Sequence, residues 1–169
     1  MPNTPRRLTT AVLLAGAALL LTGCTGDSAG NGLPEGYSEW MSQMSSQFDD
    51  AQGGGGGQLT VSDGDKGKAE GIIELQTKLA GPYDVLAVCR STKTVHLTIH
   101  DFTERHDENG YSSDQHSVLG QADIDCGSTA RIPIDVSKGR DGIELDATTT
   151  DTSGRALFDT FVVARGADR

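Results

Sequence analysis

The chain has 169 residues, 14 Lys and Arg against 24 Asp and Glu, a formal charge of −10 and 5% aromatic residues. That length holds one ordinary domain with extensions and excludes a multidomain enzyme. The acidic balance argues against a nucleic-acid partner, because phosphate binding needs a basic face, and a single long apolar run argues against a polytopic membrane protein.

That apolar run comes first in the chain. Arg6 and Arg7 precede an apolar segment from Ala11 to Leu21, with no acidic residue before it. This is the layout of a signal peptide. At eleven residues the segment is short for a bilayer span, which takes about 20. It closes on Leu21-Thr22-Gly23-Cys24. These four residues resemble the lipobox of bacterial lipoproteins, in which an aliphatic residue, a small or β-branched residue and Gly or Ala precede a Cys. The resemblance implies a diacylglycerol on the Cys24 sulfur, cleavage before Cys24, and anchoring on the extracytoplasmic face of the cell membrane. Two or three acyl chains suffice for stable anchoring, at about 0.8 kcal/mol per buried methylene. The segment removed by cleavage holds two Arg and no acid, so the formal charge moves from −10 to −12.

Residues Thr25 to Gly36 are small, polar and Gly-rich, and read as a flexible tether. Tyr37, Trp40, Met41, Met44 and Phe48 then recur at helical spacing. They predict a short amphipathic helix from about Ser38 to Gln52, with Ser38 as N-cap and Gly53 as stop. Its apolar stripe can pack on the following domain, on a partner or on the bilayer. It lacks the basic face of interfacial helices. The five glycines Gly53 to Gly57 read as a flexible hinge between the helix and a domain spanning 58–169, because glycine loses the most backbone entropy in a regular element.

From Gln58 onward the dominant period is two. Ile73, Leu75, Thr77 and Leu79 alternate with polar residues, as do Val95, Leu97 and Ile99. The same holds for Val118, Ala122, Ile124 and Cys126, for Ile132, Ile134 and Val136, and for Ile143, Leu145 and Ala147. The runs Tyr83–Arg90 and Ala156–Arg165 are apolar on both parities and read as central strands. With a short first strand at Leu59–Val61, about eight strands result. One-faced alternation means antiparallel sheets with a wet side. Two such sheets must cover each other, which gives an all-β antiparallel sandwich, jelly-roll-like or immunoglobulin-like. Pro133 belongs on an edge strand or at a bulge.

With Cys24 taken by lipid, Cys89 and Cys126 form an even pair in an exported domain, both on the inward parity of their strands, and predict a disulfide. It closes a loop of about 38 residues, worth about 4 kcal/mol in the chain-entropy model. The whole chain resembles, in layout, the small surface lipoproteins of actinobacteria that carry a two-cysteine β-sandwich.

Candidate chemistry is sparse. His96, His100, His106 and His116 cluster among carboxylates. Imidazole suits zinc, copper and nickel, yet His96 and His100 stand about 13 Å apart on a strand at about 3.3 Å per residue. A metal site would have to draw on His100, His106 and His116, the latter two read as loop residues. Asp63-Gly64-Asp65 begins like a calcium loop but lacks the Gly at its sixth position, where Lys68 stands. No Gly-x-Ser-x-Gly turn and no unpaired cysteine nucleophile exist, so no catalytic residues and no cofactor are expected. The reading is a lipid-anchored surface module that binds an envelope protein, a glycan or a small molecule, with metal capture by the histidine segment as the alternative.

Overall fold

The computed structural model describes residues 34–48, 51–62, 64–106 and 112–166, with the side chains of 105, 106 and 112–114 left undescribed. The signal segment, Cys24 and most of the tether lie outside the described residues. Among the described residues no helix is long and apolar enough to cross a membrane.

Alternating hydrophobicity becomes two antiparallel sheets. The strands are β1 (Gly53–Gln58), β2 (Thr60–Ser62), β3 (Asp65–Gln76), β4 (Gly81–Arg90), β5 (Val95–His106), β6 (Ser112–Ile124), β7 (Ala130–Val136), β8 (Gly142–Thr149) and β9 (Leu157–Ala164). One sheet has the order β1-β9-β4-β7 and the other β2-β3-β8-β5-β6. The chain changes sheet at every connection except β2–β3 and β5–β6. That order is a jelly roll, which decides between the two sandwich types the sequence allows. Pro133 lies on β7, at the edge of its sheet, where its missing N–H costs no ladder bond.

Between the sheets lies one core. Val85, Ala87, Phe158 and Val162 from the first sheet meet Leu97, Ile99, Ile143 and Leu145 from the second. The Cys89–Cys126 disulfide, with Cα atoms 4.7 Å apart, ties β4 to the chain just after β6 and so staples one sheet to the other. It sits in the core with Cys89 buried.

The predicted glycine hinge is a strand instead. Residues 53–58 run antiparallel to β9 from Gly53 opposite Val162 to Gln58 opposite Leu157. A Cβ on Gly54 would lie 2.2 Å from the Thr160 carbonyl oxygen, and one on Gly56 would lie 2.1 Å from that of Phe158. A Cβ on Gly55 would press on Ile73 of the opposite sheet at 3.1 Å. Glycine is used for close backbone approach, and the entropic cost is offset by pairing with β9 along the whole segment. The Thr160 hydroxyl adds a bond to the Gly55 carbonyl at 2.7 Å. The strand count among the described residues is therefore nine and not eight, and the glycine segment belongs to the sandwich.

The helix also differs from its prediction. α1 spans Tyr37–Ser45, and its N-cap is Gly36 in the left-handed region (φ 72), with no side-chain cap. It ends early because Phe48 turns back to stack on Phe161, ring centroids 4.4 Å apart. Trp40, Met44, Phe48 and Ala51 pack on Leu86, Val88, Phe161 and Val163. The apolar stripe is thus spent on the outer face of the β1-β9-β4-β7 sheet. This explains why β4 and β9 are apolar on both parities.

One alternation flips. Val118, on the inward parity by sequence, is 60% exposed, while Leu119 packs on the core. The ladder pairs Ile99 with Gly120 and His100 with Val118, leaving Leu119 as the extra residue of a bulge. A bulge reverses the parity beyond it.

These contacts separate neighbouring glycines. Gly56→Ala is expected to destabilise the domain by on the order of 3 kcal/mol through backbone overlap with β9. Gly57, with nothing within 4 Å of its Cβ position, is expected to accept Ala within about 0.5 kcal/mol. Urea unfolding of the two variants measures the difference; equal tolerance would mean the segment is a linker after all.

Candidate functional site

The outer face of the five-stranded sheet is polar, and the ladder gathers the histidines on it. His96, Thr98 and His100 alternate with the buried Val95, Leu97 and Ile99, so they point outward. They lie opposite Thr148, Asp146 and Glu144 on β8. Across the other edge of β5, His96 lies opposite Asp123 and Phe102 opposite His116 on β6. His96 Nδ1 bonds Asp123 Oδ1 at 2.8 Å. His116 Nδ1 stands 3.6 Å from Glu144 Oε1, and its ring meets that of His100 edge-on at 6.0 Å. Phe102 underlies His116 at 6.1 Å.

The structure thus brings His100 and His116 together, on strands and not in a loop. The backbone of His106 ends β5; its side chain is among those not described. Among the described residues no group of three or more His, Cys, Asp or Glu side chains is arranged to hold a metal ion. Asp65 of the calcium-like motif opens β3, and its carboxylate caps the Gly67 N–H at 3.1 Å. Cys89 and Cys126 are joined as expected, and Cys24 lies outside the described residues.

Across one end of this face runs an open groove of about 490 Å³, lined by Asp65, Lys68, Lys93, His96, Asp123 and Thr148 among others. Its side chains come from β3, β8 and β6 and from the start of β5, so only pairing in the sheet assembles it. They supply cationic donors, hydroxyls and carboxylates within one concavity.

A second constellation was not legible in the sequence. The turns after β4 and β8, which read only as polar connections, meet at one end of the sandwich. Asp151 accepts from the Ser91 hydroxyl, the Thr92 N–H and the Thr92 hydroxyl at 2.9 Å each, and from the Ser153 N–H at 3.1 Å. The side chain of Ser153 and the donors of Thr92 hold its carboxyl well below the usual carboxylate range. The knot closes a cavity of about 470 Å³ lined by Arg90, Ser91, Thr92, Asp151, Ser153 and Arg155. No period or motif marks it, because its halves are about 60 residues apart.

Asp159 is the opposite case. It is 2% exposed on β9, on the parity of Phe161 and Val163 that α1 covers, flanked in register by Gly56 and Val88. Its Oδ1 accepts the Thr160 N–H at 2.9 Å, while its Oδ2 has no partner among the described residues. Burial raises its pKa to about 6.

No family model matches the chain, and no curated protein matches it in sequence. Some solved structures match part of the chain at low identity. The xylan-binding domain of a Paenibacillus barcinonensis xylanase is 10% identical, with 68% of this chain and 89% of that one covered and a TM-score of 0.38. The Yersinia pseudotuberculosis-derived mitogen is 12% identical, with 69% and 88% covered and a TM-score of 0.38. A Clostridium thermocellum endo-xylanase, solved as a carbohydrate-binding and a catalytic module with xylohexaose, is 15% identical, with 58% of this chain covered and a TM-score of 0.36. The match spans a fifth of that xylanase's length.

Asp159 sets a pH dependence whose sign follows from the raised value. The unfolded carboxyl loses its proton near 3.8 and the folded one near 6, so the unfolded state binds fewer protons between them. Stability therefore falls as pH rises from about 4 to about 6 and is flat in this term above. Asp159→Asn is expected to abolish that fall, worth up to about 3 kcal/mol. Chemical denaturation of both proteins from pH 4 to pH 8 checks it.

Proposed function

We propose that this chain is an extracytoplasmic lipoprotein, held to the membrane through Cys24, whose jelly-roll domain binds a polar envelope ligand without catalysing a reaction. The observation that carries the reading is the Cys89–Cys126 disulfide. A structural disulfide belongs to an oxidising compartment, and its formation leaves Cys24 as the one cysteine free for acylation. The lipobox-like Leu21-Thr22-Gly23-Cys24 and the apolar segment before it supply the address.

The groove across β3, β8, β5 and β6 is the surface that suits such a ligand. Lys68 and Lys93 offer donors, Asp65 and Asp123 offer acceptors, and Thr148 offers both. The opposing charges leave the groove close to neutral, which favours a hydroxyl-bearing ligand such as a glycan over a strongly ionic one. Hydroxyls can bridge donor and acceptor in the same contact, so paired charges of both signs are an asset there.

Two measurements test the two halves. Cys24→Ser is expected to move the protein from the membrane fraction to the soluble fraction of the envelope; retention would mean an uncleaved apolar anchor. Amide NMR titration with solubilised envelope glycan fragments is expected to shift resonances around Lys68, His96 and Thr148. Lys68→Ala and His96→Ala should each weaken that binding about tenfold. Absence of saturable shifts would overturn the groove as a ligand site while leaving the anchor untouched.

A further inference from the structure

The cavity at the end of the sandwich differs in kind from the groove. Arg90 closes β4 opposite Leu157, and Arg155 stands two residues before Leu157. Their Cα atoms are therefore separated by about one strand spacing and about two residues of rise. Both side chains line the same cavity of about 470 Å³ with the hydroxyl residues Ser91, Thr92 and Ser153. The carboxylate in this cavity, Asp151, is buried and bonded to Ser91, Thr92 and Ser153. Its lone pairs are committed to the turns and it forms no ion pair with either arginine.

The arginines are correspondingly underused. Arg90 spends one nitrogen, Nη1, on the Glu35 carbonyl at 3.3 Å. Arg155 has no side-chain partner among the described residues. The other arginines whose side chains are described are committed: Arg131 and Arg165 both bind Asp84, and Arg140 binds Asp101. Glu35 and Glu39 line a separate small cavity on the far side of Arg90, and neither carboxylate pairs with it. In a chain with ten more formal negative than positive charges, two guanidinium groups against the single carboxylate of Asp151 make this cavity a local reversal of sign.

We infer that the Arg90–Arg155 cavity is a binding site for a tetrahedral oxyanion, a phosphate group held by the two guanidinium forks beside the Asp151 knot, whose hydroxyl protons are already spent on Asp151. Guanidinium presents two parallel N–H groups at the spacing of two phosphate oxygens, which makes it the side chain suited to this group. The Asp151 knot acts as the scaffold: it fixes both turns, so the site is formed before the ligand arrives and little ordering is needed on binding. The phosphate can belong to a free small molecule or to a lipid headgroup. The second source fits the position of Arg90, whose guanidinium also grips the chain at Glu35, where the tether enters the domain.

Calorimetric titration of the full-length protein in neutral detergent, at fixed ionic strength, tests this with three probes. They are inorganic phosphate, glycerol 1-phosphate and soluble dihexanoyl phosphatidylglycerol. Saturable binding of at least one probe is expected, with Arg155→Gln weakening it about tenfold or more. Arg155 holds nothing else, so its loss leaves the fold intact. Lys138→Gln, which removes an exposed cation from the turn after β7, is expected to leave the affinity unchanged. Tighter binding of the phosphatidylglycerol than of glycerol 1-phosphate assigns the lipid source, and equal or weaker binding assigns the free one. No saturable binding of any probe, or equal losses in Arg155→Gln and Lys138→Gln, overturns the site. The glycan groove stands or falls separately, since it shares no lining residue with this cavity.

Discussion

Strand β9 must be buried on both faces and along both edges, and the rest of the molecule is arranged around that requirement. Its residues from Leu157 to Val163 are all buried. The inward parity, with Phe158 and Val162, meets the second sheet in ordinary sandwich packing. The outward parity, with Phe161 and Val163, would face water in a two-layer jelly roll and is covered here by α1. On one edge β4 supplies a second doubly apolar strand. On the other edge the partner strand has to lack side chains at Gly54 and Gly56, where the backbones approach too closely for any Cβ. A helix too short to be stable alone in water and the glycines at 54 and 56 are thus both required by one strand.

The same constraint governs where charge is spent. An acidic chain that folds into a thin sandwich has to place some carboxylates below its surface, and each is handled differently. Asp84 is neutralised by two arginines. Asp101 takes Arg140, which also reaches Thr103 at 3.1 Å and so ties the turn before β8 to β5. Asp151 is surrounded by hydroxyl and amide donors and keeps its charge. Asp159, buried with one oxygen unpartnered, has its pKa raised by burial to about 6. Hydrogen-bond donors and guanidinium groups stabilise a buried carboxylate, and an apolar cover does the opposite. The result is that the arginines not absorbed in this way stand out, and two of them share one cavity.

Much of this was legible in the residues because strand patterning is local. Alternation located most of the strands, doubled apolar parity marked β4 and β9 as central, and Pro133 marked β7 as an edge. What failed, failed where a tertiary contact overrides a local preference. Five glycines read as a hinge by backbone entropy, yet close approach to β9 makes glycine the residue that fits. Val118 read as inward until one bulge residue, Leu119, turned the parity over. The helix read as longer until Phe48 left it to reach Phe161. The histidines read as a strand pair and a loop, and the β5–β6 ladder placed His100 beside His116 on one face.

By itself the sequence determined the period of the chain, the pairing of its cysteines and the short-range punctuation of its turns. Those properties depend on a residue and its immediate neighbours, and on the count of thiols. Only the tertiary structure decided the strand order, the face covered by α1 and the two neighbouring cavities at one end of the sandwich. Each of those joins side chains tens of residues apart, such as Ser91 and Asp151 or Arg90 and Arg155. No local pattern encodes such a meeting, because it is fixed by the packing of two sheets whose order the pattern leaves open.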